Sequence, residues 1–541
     1  IARRQRQMCI RDSNKTMKIM KYLYLALYFG CIFSLFSGNP SDSAFYALYH
    51  SIPESDIVKL FAFYELYPHT QVGKSALHSA WKNLQKHRTE IIPISDCINL
   101  PNVDIDTMIQ VLLEPAEIKK NFLNIDQIEL LEKISDHLMN RQLKGYKIWK
   151  KEDIRHLEAQ EIDLSRAILL HELDDPNKIR QYEVFLDFIT LQILAKLPNS
   201  ATQIDKIHAL NHWIFYEMQF KFPPHSLWPK DIDAYTLLAQ VIDNRQGVCL
   251  GVSILYICLA QRLGLSLQIF TPPGHIFISY TDETQTINIE TTARGRNIPT
   301  REYLSSNLRF LPERSMKEII GMVFINQGAK FLHLQDYRTA SEFYDKAIFY
   351  LPNDSTTKEL LGFTLLFTKT REEEAIRLLL SIRDTCNRGM IYQSSISNDY
   401  LENRINLEGV KILWLPVSET RESIIKKNIE LQSLVEKFPI TREGLFHLAI
   451  SYLQLSNTVE AEKVLLKYVQ ITPEHPTAHY YLSILAKKHM NLADAWKHYK
   501  IAESIIERAG GNLYCLRGLR EQLQLLLPET AIMPIKNIEH K

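Results

Sequence analysis

Ala461 and Ala495 stand 495 − 461 = 34 residues apart, and each sits in a matching frame of residues. Leu448, Ala449, Tyr452 and Pro473 surround the first, while Leu482, Ser483, Tyr499 and Ala502 surround the second. Small residues at these offsets fall where two antiparallel helices would touch. A single helix pair cannot bury its own apolar face, so a chain with this period must stack one pair on the next. The same frame holds Gly328, Phe331, Ala340, Tyr344, Ala347 and Pro352. A weaker copy begins near Ser355 with Leu361 and Gly362, and its alanine, Ala375, arrives one place late. Between Cys386 and Thr420 the pattern lapses into a loop-rich insert, and residues 422–438 supply at least one more helix.

These offsets resemble the tetratricopeptide consensus over most of residues 321–509, with four or five helix pairs. The resemblance implies a C-terminal all-α solenoid over 321–520, whose curved inner surface holds a peptide or protein partner. Residues 521–541 are left as a tail.

The chemistry concentrates in residues 244–296. Cys249 follows Gly247 by two residues, where a turn-like segment, 243–247, gives way to an apolar helical run, 252–263, closed by Gly264. This predicts a thiol in the first turn of a helix, where unpaired N–H groups and the helix dipole favour thiolate. Gly247 and Gly251 are expected to leave room for a substrate backbone. Downstream, His275, Phe277 and Ser279 alternate with Ile276, Ile278 and Tyr280, and Asn288 and Glu290 alternate with Ile287 and Ile289. A hairpin turn centred on Asp282 and Glu283 sets His275 directly across from Glu290, with Cβ atoms roughly 4.5–5.5 Å apart. An odd-length loop breaks that register. In the expected register the carboxylate fixes the imidazole's tautomer and leaves its other nitrogen for the thiol. Taken singly, each residue also has a plain structural reading. Cys249 is then a small buried hydrophobe, His275 a loop residue bonded to nearby backbone, and Glu290 a cap acting through Thr291 or Thr292. Cys258, nine residues beyond Cys249, faces the other way and reads as core.

The segments GVCLGVSILY, PPGHIF and NIETTARG, in the order Cys, His, acid, resemble the transglutaminase-like superfamily of papain-type cysteine enzymes over residues 206–296. The resemblance implies an α+β core, placed at 201–310, in which a helix-borne Cys packs on an antiparallel sheet carrying His and the acid. It implies Cys249, His275 and Glu290 as catalytic residues, and acyl chemistry on peptide or protein amide bonds through a thioester. Glu290 stands where Asp is commoner, which lengthens the reach by one methylene. Upstream elements of the family wall the catalytic helix, so Trp213, Trp228 and Gln246 are candidates to touch substrate or to help hold an oxyanion beside the Cys249 N–H. Trp213 also reads as packing. The superfamily includes proteases, cross-linkers, deamidases and inactive relatives, so a non-catalytic adaptor stands beside the enzyme reading. In the adaptor the transglutaminase-like fold is a platform and the repeat array binds a protein.

No cofactor and no metal is expected: His208, His212 and His225 lack metal-ligand spacing. A net charge of +1 on 541 residues, with no basic face interleaved with aromatics, excludes nucleic acid as the expected partner. Residues 1–16 are basic, lack an apolar period and are expected to be a non-native leader. From Met17, the basic MKIMK, an uncharged run at 22–36 and then SGNPSDSA give 17–40 the shape of a signal peptide or of an N-terminal membrane anchor. Export of bacterial type, to the periplasm, cell surface or medium, is the expectation. Five cysteines follow residue 38 without a CxxC, an odd number compatible with one free thiol. Residues 41–200 read as helices and loops with no cluster suggesting chemistry, and the polar stretch RNIPTREY after 296 reads as a domain boundary.

Overall fold

The computed structural model describes residues 42–94, 123–223, 232–383, 385, 389–393, 396–418 and 420–529. The expected leader and signal or anchor segment, Trp228 and His225 lie outside the described residues. Among the described residues, no helix is long and apolar enough to cross a membrane. The described chain divides into two compact units. The first holds the described residues up to 223 together with 234–267 and 290–296. The second holds 232–233, 268–289 and 297–529.

The first unit is helical and built around Cys249–Leu263, which packs against Pro176–Lys196, Leu164–Glu172, Leu238–Asn244 and Gln203–His212. Of its fifteen residues only Cys249 and Gln261 escape full burial, which is why the sequence is apolar on every side. Gly264 ends it in the left-handed region (φ 68°), and the Leu265 N–H reaches back to the Ala260 carbonyl at 2.9 Å. Pro176 occupies the first turn of its helix behind an Asp175 cap.

The helix Leu164–Glu172 is capped by Asp163, which is drawn into a buried polar network. Its carboxylate accepts from Asn140 at 2.9 Å, Ser165 at 2.6 Å and the Arg166 N–H at 3.1 Å. Burial opposes the charge, but Arg262 and these donors outweigh it and hold Asp163 below its ordinary value. Arg166 forks onto Glu183 at 2.7 and 2.6 Å and lies over the Trp149 ring, 3.8 Å from its centroid. Arg262, on the Cys249 helix, reaches Asp187 at 2.7 Å and Ser165 at 3.0 Å. Asp187 also accepts from Ser135 and Arg141.

Residues 268–297 form a small antiparallel sheet in the order β1 (Gln268–Phe270), β2 (Phe277–Thr281), β3 (Thr286–Glu290), β4 (Arg296–Asn297). Its outer edge is continued by residues 312–314: Phe270 bridges Glu313, the Thr271 N–H meets the Pro312 carbonyl at 2.9 Å, and the Arg314 N–H meets Ile269 at 2.8 Å. Arg314 then bonds Thr271 and Glu318, the latter in the first repeat helix.

That helix, Met316–His333, begins a tetratricopeptide-like array. It pairs with Tyr337–Tyr350, and the next pairs are Ser355–Thr368 with Glu372–Ser381, Arg442–Gln454 with Thr458–Ile471, and Pro476–Lys488 with Leu492–Arg508. Ala340, Ala375, Ala461 and Ala495 are each fully buried at the fourth residue of their helices. Three of the turns share one chemistry. Gln335, Ser456 and Met490 take φ near 60°, and Asp336, Asn457 and Asn491 then cap the following helix. The second pair departs from it. Its first helix runs one residue further, the left-handed positions move to Lys369 and Arg371, and no side chain caps Glu372–Ser381. Ala375 is late in sequence and in register in space.

The stretch 386–420, expected to be loop-rich, holds the short helices Ile396–Leu401 and Leu407–Trp414. The ammonium of Lys427 closes the second by donating to the carbonyls of Ile412, Leu413 and Leu415.

Candidate active site

Cys249 opens its helix behind Val248, which offers no capping side chain. The first N–H groups of any helix lack an intrahelical acceptor, and here no capping side chain takes them up. The thiol is free and partly exposed; Cys258, on the same helix, is fully buried, and burial pushes its thiol well above the ordinary value. The approach to the helix is pinned by backbone: Val248 N–H to Tyr235 O at 2.9 Å, Gly247 N–H to Lys221 O at 3.2 Å, with Gln246 bridged to Lys221.

Gly247 and Gly251 serve this crossing and not a substrate. A Cβ on Gly251 would lie 2.3 Å from the Tyr235 carbonyl oxygen, and one on Gly247 would lie 2.9 Å from Val252 and 3.3 Å from the same carbonyl. The two glycines admit the chain's own Tyr235–Thr236 backbone.

His275 does not lie in a strand. It closes a turn in which Pro272 accepts from the His275 N–H at 3.0 Å and Gly274 takes φ +71°, the type II arrangement that Pro-Pro-Gly favours. β2 starts two residues later. Its register on β3 pairs Ile278 with Ile289, Ser279 with Asn288 and Thr281 with Thr286. Counting on from those pairs, position 290 falls in line with 277 and not with 275. The expected register is therefore out by two residues, although its parity holds. The cause is Asp282, whose carboxylate accepts from the Thr284 N–H at 2.8 Å and the Gln285 N–H at 3.0 Å and so centres the turn one place further on.

Glu290 is buried, and its Oε1 accepts from the Thr292 N–H at 3.1 Å and the Thr292 hydroxyl at 2.5 Å. This is the capping role that the sequence also allows. The adjoining Thr291 Oγ1 lies 3.2 Å from the Ser253 hydroxyl, one helical turn beyond Cys249. The first unit thus seats the end of β3 on the thiol-bearing end of the helix. His275 belongs to the second unit. Trp213 is 6% exposed, with the Lys196 ammonium 5.1 Å above its ring, so it packs in the core and presents no face to substrate. Gln246 remains partly exposed beside the helix start.

Residues 180–309 match the family model described as transglutaminase-like superfamily. They form a transglutaminase-like domain. The match begins inside the helix Pro176–Lys196, which carries Glu183 and Asp187, so the domain includes part of the buried network behind Cys249–Leu263. No curated relative matches the chain. Among solved structures, a MamA protein is 16% identical with TM-score 0.18, the match covering 35% of this chain and 99% of the other. Yeast Tom70 is 12% identical with TM-score 0.19, covering 87% and 95%. The C-terminal part of a TPR repeat-containing protein from Cytophaga hutchinsonii is 12% identical with TM-score 0.20, covering 39% and 86%. Scores this low carry no argument, and the repeat architecture rests on the chain's own helix pairs and caps.

Three features of the transglutaminase-like domain have no readable signal in the sequence. Ser253 looks like any small residue in an apolar helix, Tyr303 lies in the stretch that reads as a boundary, and Arg262 reads as a surface charge near a helix end.

Proposed function

We propose that the transglutaminase-like domain is a thiol enzyme acting on amide bonds of peptides or proteins, and that the repeat array binds a protein partner. The observation that carries the enzyme reading is Cys249, a free and partly exposed cysteine at the positive end of a helix that is almost wholly buried. The thiolate attacks the amide carbonyl carbon, and the N–H groups at the helix start stabilise the oxyanion that forms. His275, holding the thiol proton, passes it to the departing nitrogen as the C–N bond breaks and a thioester remains. Water or an amine, deprotonated by His275, then attacks the thioester and expels the thiolate. Glu290 orients His275. A carboxylate accepts at both oxygens, so capping Thr292 through Oε1 does not conflict with that role.

The second reading, a non-catalytic adaptor, draws support from the same Thr292 contact, which accounts for Glu290 without chemistry. Iodoacetamide labelling separates the two. The enzyme reading expects rapid labelling at about pH 6, lost in Cys249→Ala and kept in Cys258→Ala. Labelling of Cys249 no faster than a free thiol's leaves the adaptor.

A further inference from the structure

We propose that Tyr303 is a positioning residue that holds the His275 imidazole in its working orientation; the inference rests on His275 as the proton carrier of the enzyme reading.

The Tyr303 ring lies face to face with Phe277 at 3.9 Å between centroids and 11° between planes. It runs nearly parallel to the His275 ring as well, at 14° and 6.0 Å. Phe277 is fully buried in the first position of β2, so it provides a fixed seat for the tyrosine. The segment that carries the tyrosine is tied down as well. It ends the short helix Thr300–Tyr303, whose first residue accepts from Asn288 Nδ2 at 2.9 Å. Asn288 also donates to the Ile298 carbonyl at 2.8 Å, and its Oδ1 accepts from the Ser279 hydroxyl at 2.8 Å. β2, β3 and the 297–303 segment are tied into one loop of restraints that starts at the strand after His275 and returns to its ring.

A turn fixes the His275 backbone, through Pro272 and Gly274, but a turn does not fix a side chain. Rotation about χ1 and χ2 would carry the imidazole between orientations within the same backbone. An aromatic plane parallel to the ring restricts that rotation. Its negative face also favours the imidazolium that forms when the thiol gives up its proton. The ring plane supplies both effects and phenylalanine keeps that plane, so phenylalanine should substitute for tyrosine in the stacking role.

The experiment uses the full chain as wild type, Tyr303→Phe and Tyr303→Ala, each first shown to keep the wild-type thermal transition. Two readouts are taken: the pH profile of Cys249 alkylation, and the imidazole resonances of His275 by NMR. Tyr303→Ala should slow alkylation at about pH 6 by about threefold and shift the profile, while Tyr303→Phe stays within about twofold of wild type. The His275 resonances should move in Ala and not in Phe. If Ala alkylates like wild type with His275 unmoved, or Phe is as slow as Ala, the positioning role is overturned. Loss of the thiol–imidazole pairing itself is a distinct outcome. Wild-type Cys249 would then react as an ordinary thiol, and His275 resonances that move in Ala and not in Phe would still report the stack. If Ala fails to keep the wild-type transition, Tyr303→Leu replaces it under the same criteria.

Discussion

The helical core behind Cys249 and the repeat array are both all-α, yet they are held together by different physics. Behind Cys249 lie paired charges, Arg166 on Glu183 and Arg262 on Asp187, with side chains at most 2% exposed. In the array, Ala340, Ala461 and Ala495 are fully buried in apolar clusters that also hold Tyr344, Tyr468 and Tyr499, with Asp or Asn caps at the turns. A buried ion pair adds little net stability over apolar packing, because desolvation offsets the attraction, but it allows few alternative arrangements. Small-residue contacts allow a pair to be repeated and stacked. The core behind Cys249 fixes the height and rotation of one helix, whereas the array builds surface.

The sharpest way to break this comparison is to strand a charge. Glu183→Gln leaves Arg166 facing a neutral partner in a dry interior and should cost about 3–5 kcal/mol in urea unfolding of the first unit. Replacing both, Arg166→Met with Glu183→Leu, should recover much of that loss. A Glu183→Gln variant as stable as wild type would mean that the network is not the framework of this core.

Next in size, Gly328→Ala in the array sets a methyl group 2.5 Å from the Tyr344 ring. Overpacking there should cost about 1–3 kcal/mol and broaden the transition of the first repeat pair, seen by hydrogen exchange. The core behind Cys249 should keep its protection.

The smallest effect is acid sensitivity in the last repeats. The His479 Nε2–H donates to the Pro473 carbonyl at 2.9 Å, so its Nδ1 accepts from His498 at 3.0 Å. His475 Nδ1 lies in hydrogen-bond range of the Tyr468 hydroxyl at 2.8 Å. Burial depresses His475 to about 3 and His498 to about 4, from an ordinary 6.5. Values depressed in the fold mean that the neutral rings are the ones it holds. Their contribution is complete above 6.5 and lost as pH falls towards 4. Between about pH 7 and about pH 5 the last two helix pairs should lose about 1–2 kcal/mol per histidine, read from urea midpoints. His498→Asn should reduce the slope.

The array was legible because its signal is local: Ala461 and Ala495 repeat at a fixed distance, inside matching frames of neighbours. Cys249 at a helix start was legible for the same reason, since Gly247, the apolar run and Gly264 bracket it. The hairpin's existence was readable but its register was not, because Asp282 chose the turn through bonds to two particular N–H groups. The buried network was invisible. Arg262 and Asp187 are 75 residues apart, and nothing in either neighbourhood distinguishes a charge bound for the interior from one bound for water. Glu290 was read in both its roles, and the structure supplies the capping one directly.

The strip 312–314 along β1 determines where this protein can be cut. A recombinant piece ending at residue 310, where sequence pattern suggests stopping, would strip the covering segment from β1 and expose a row of unsatisfied N–H and carbonyl groups to other chains. Such a piece should precipitate even with every residue near Cys249 in place, so excision belongs beyond the opening helix pair of the array.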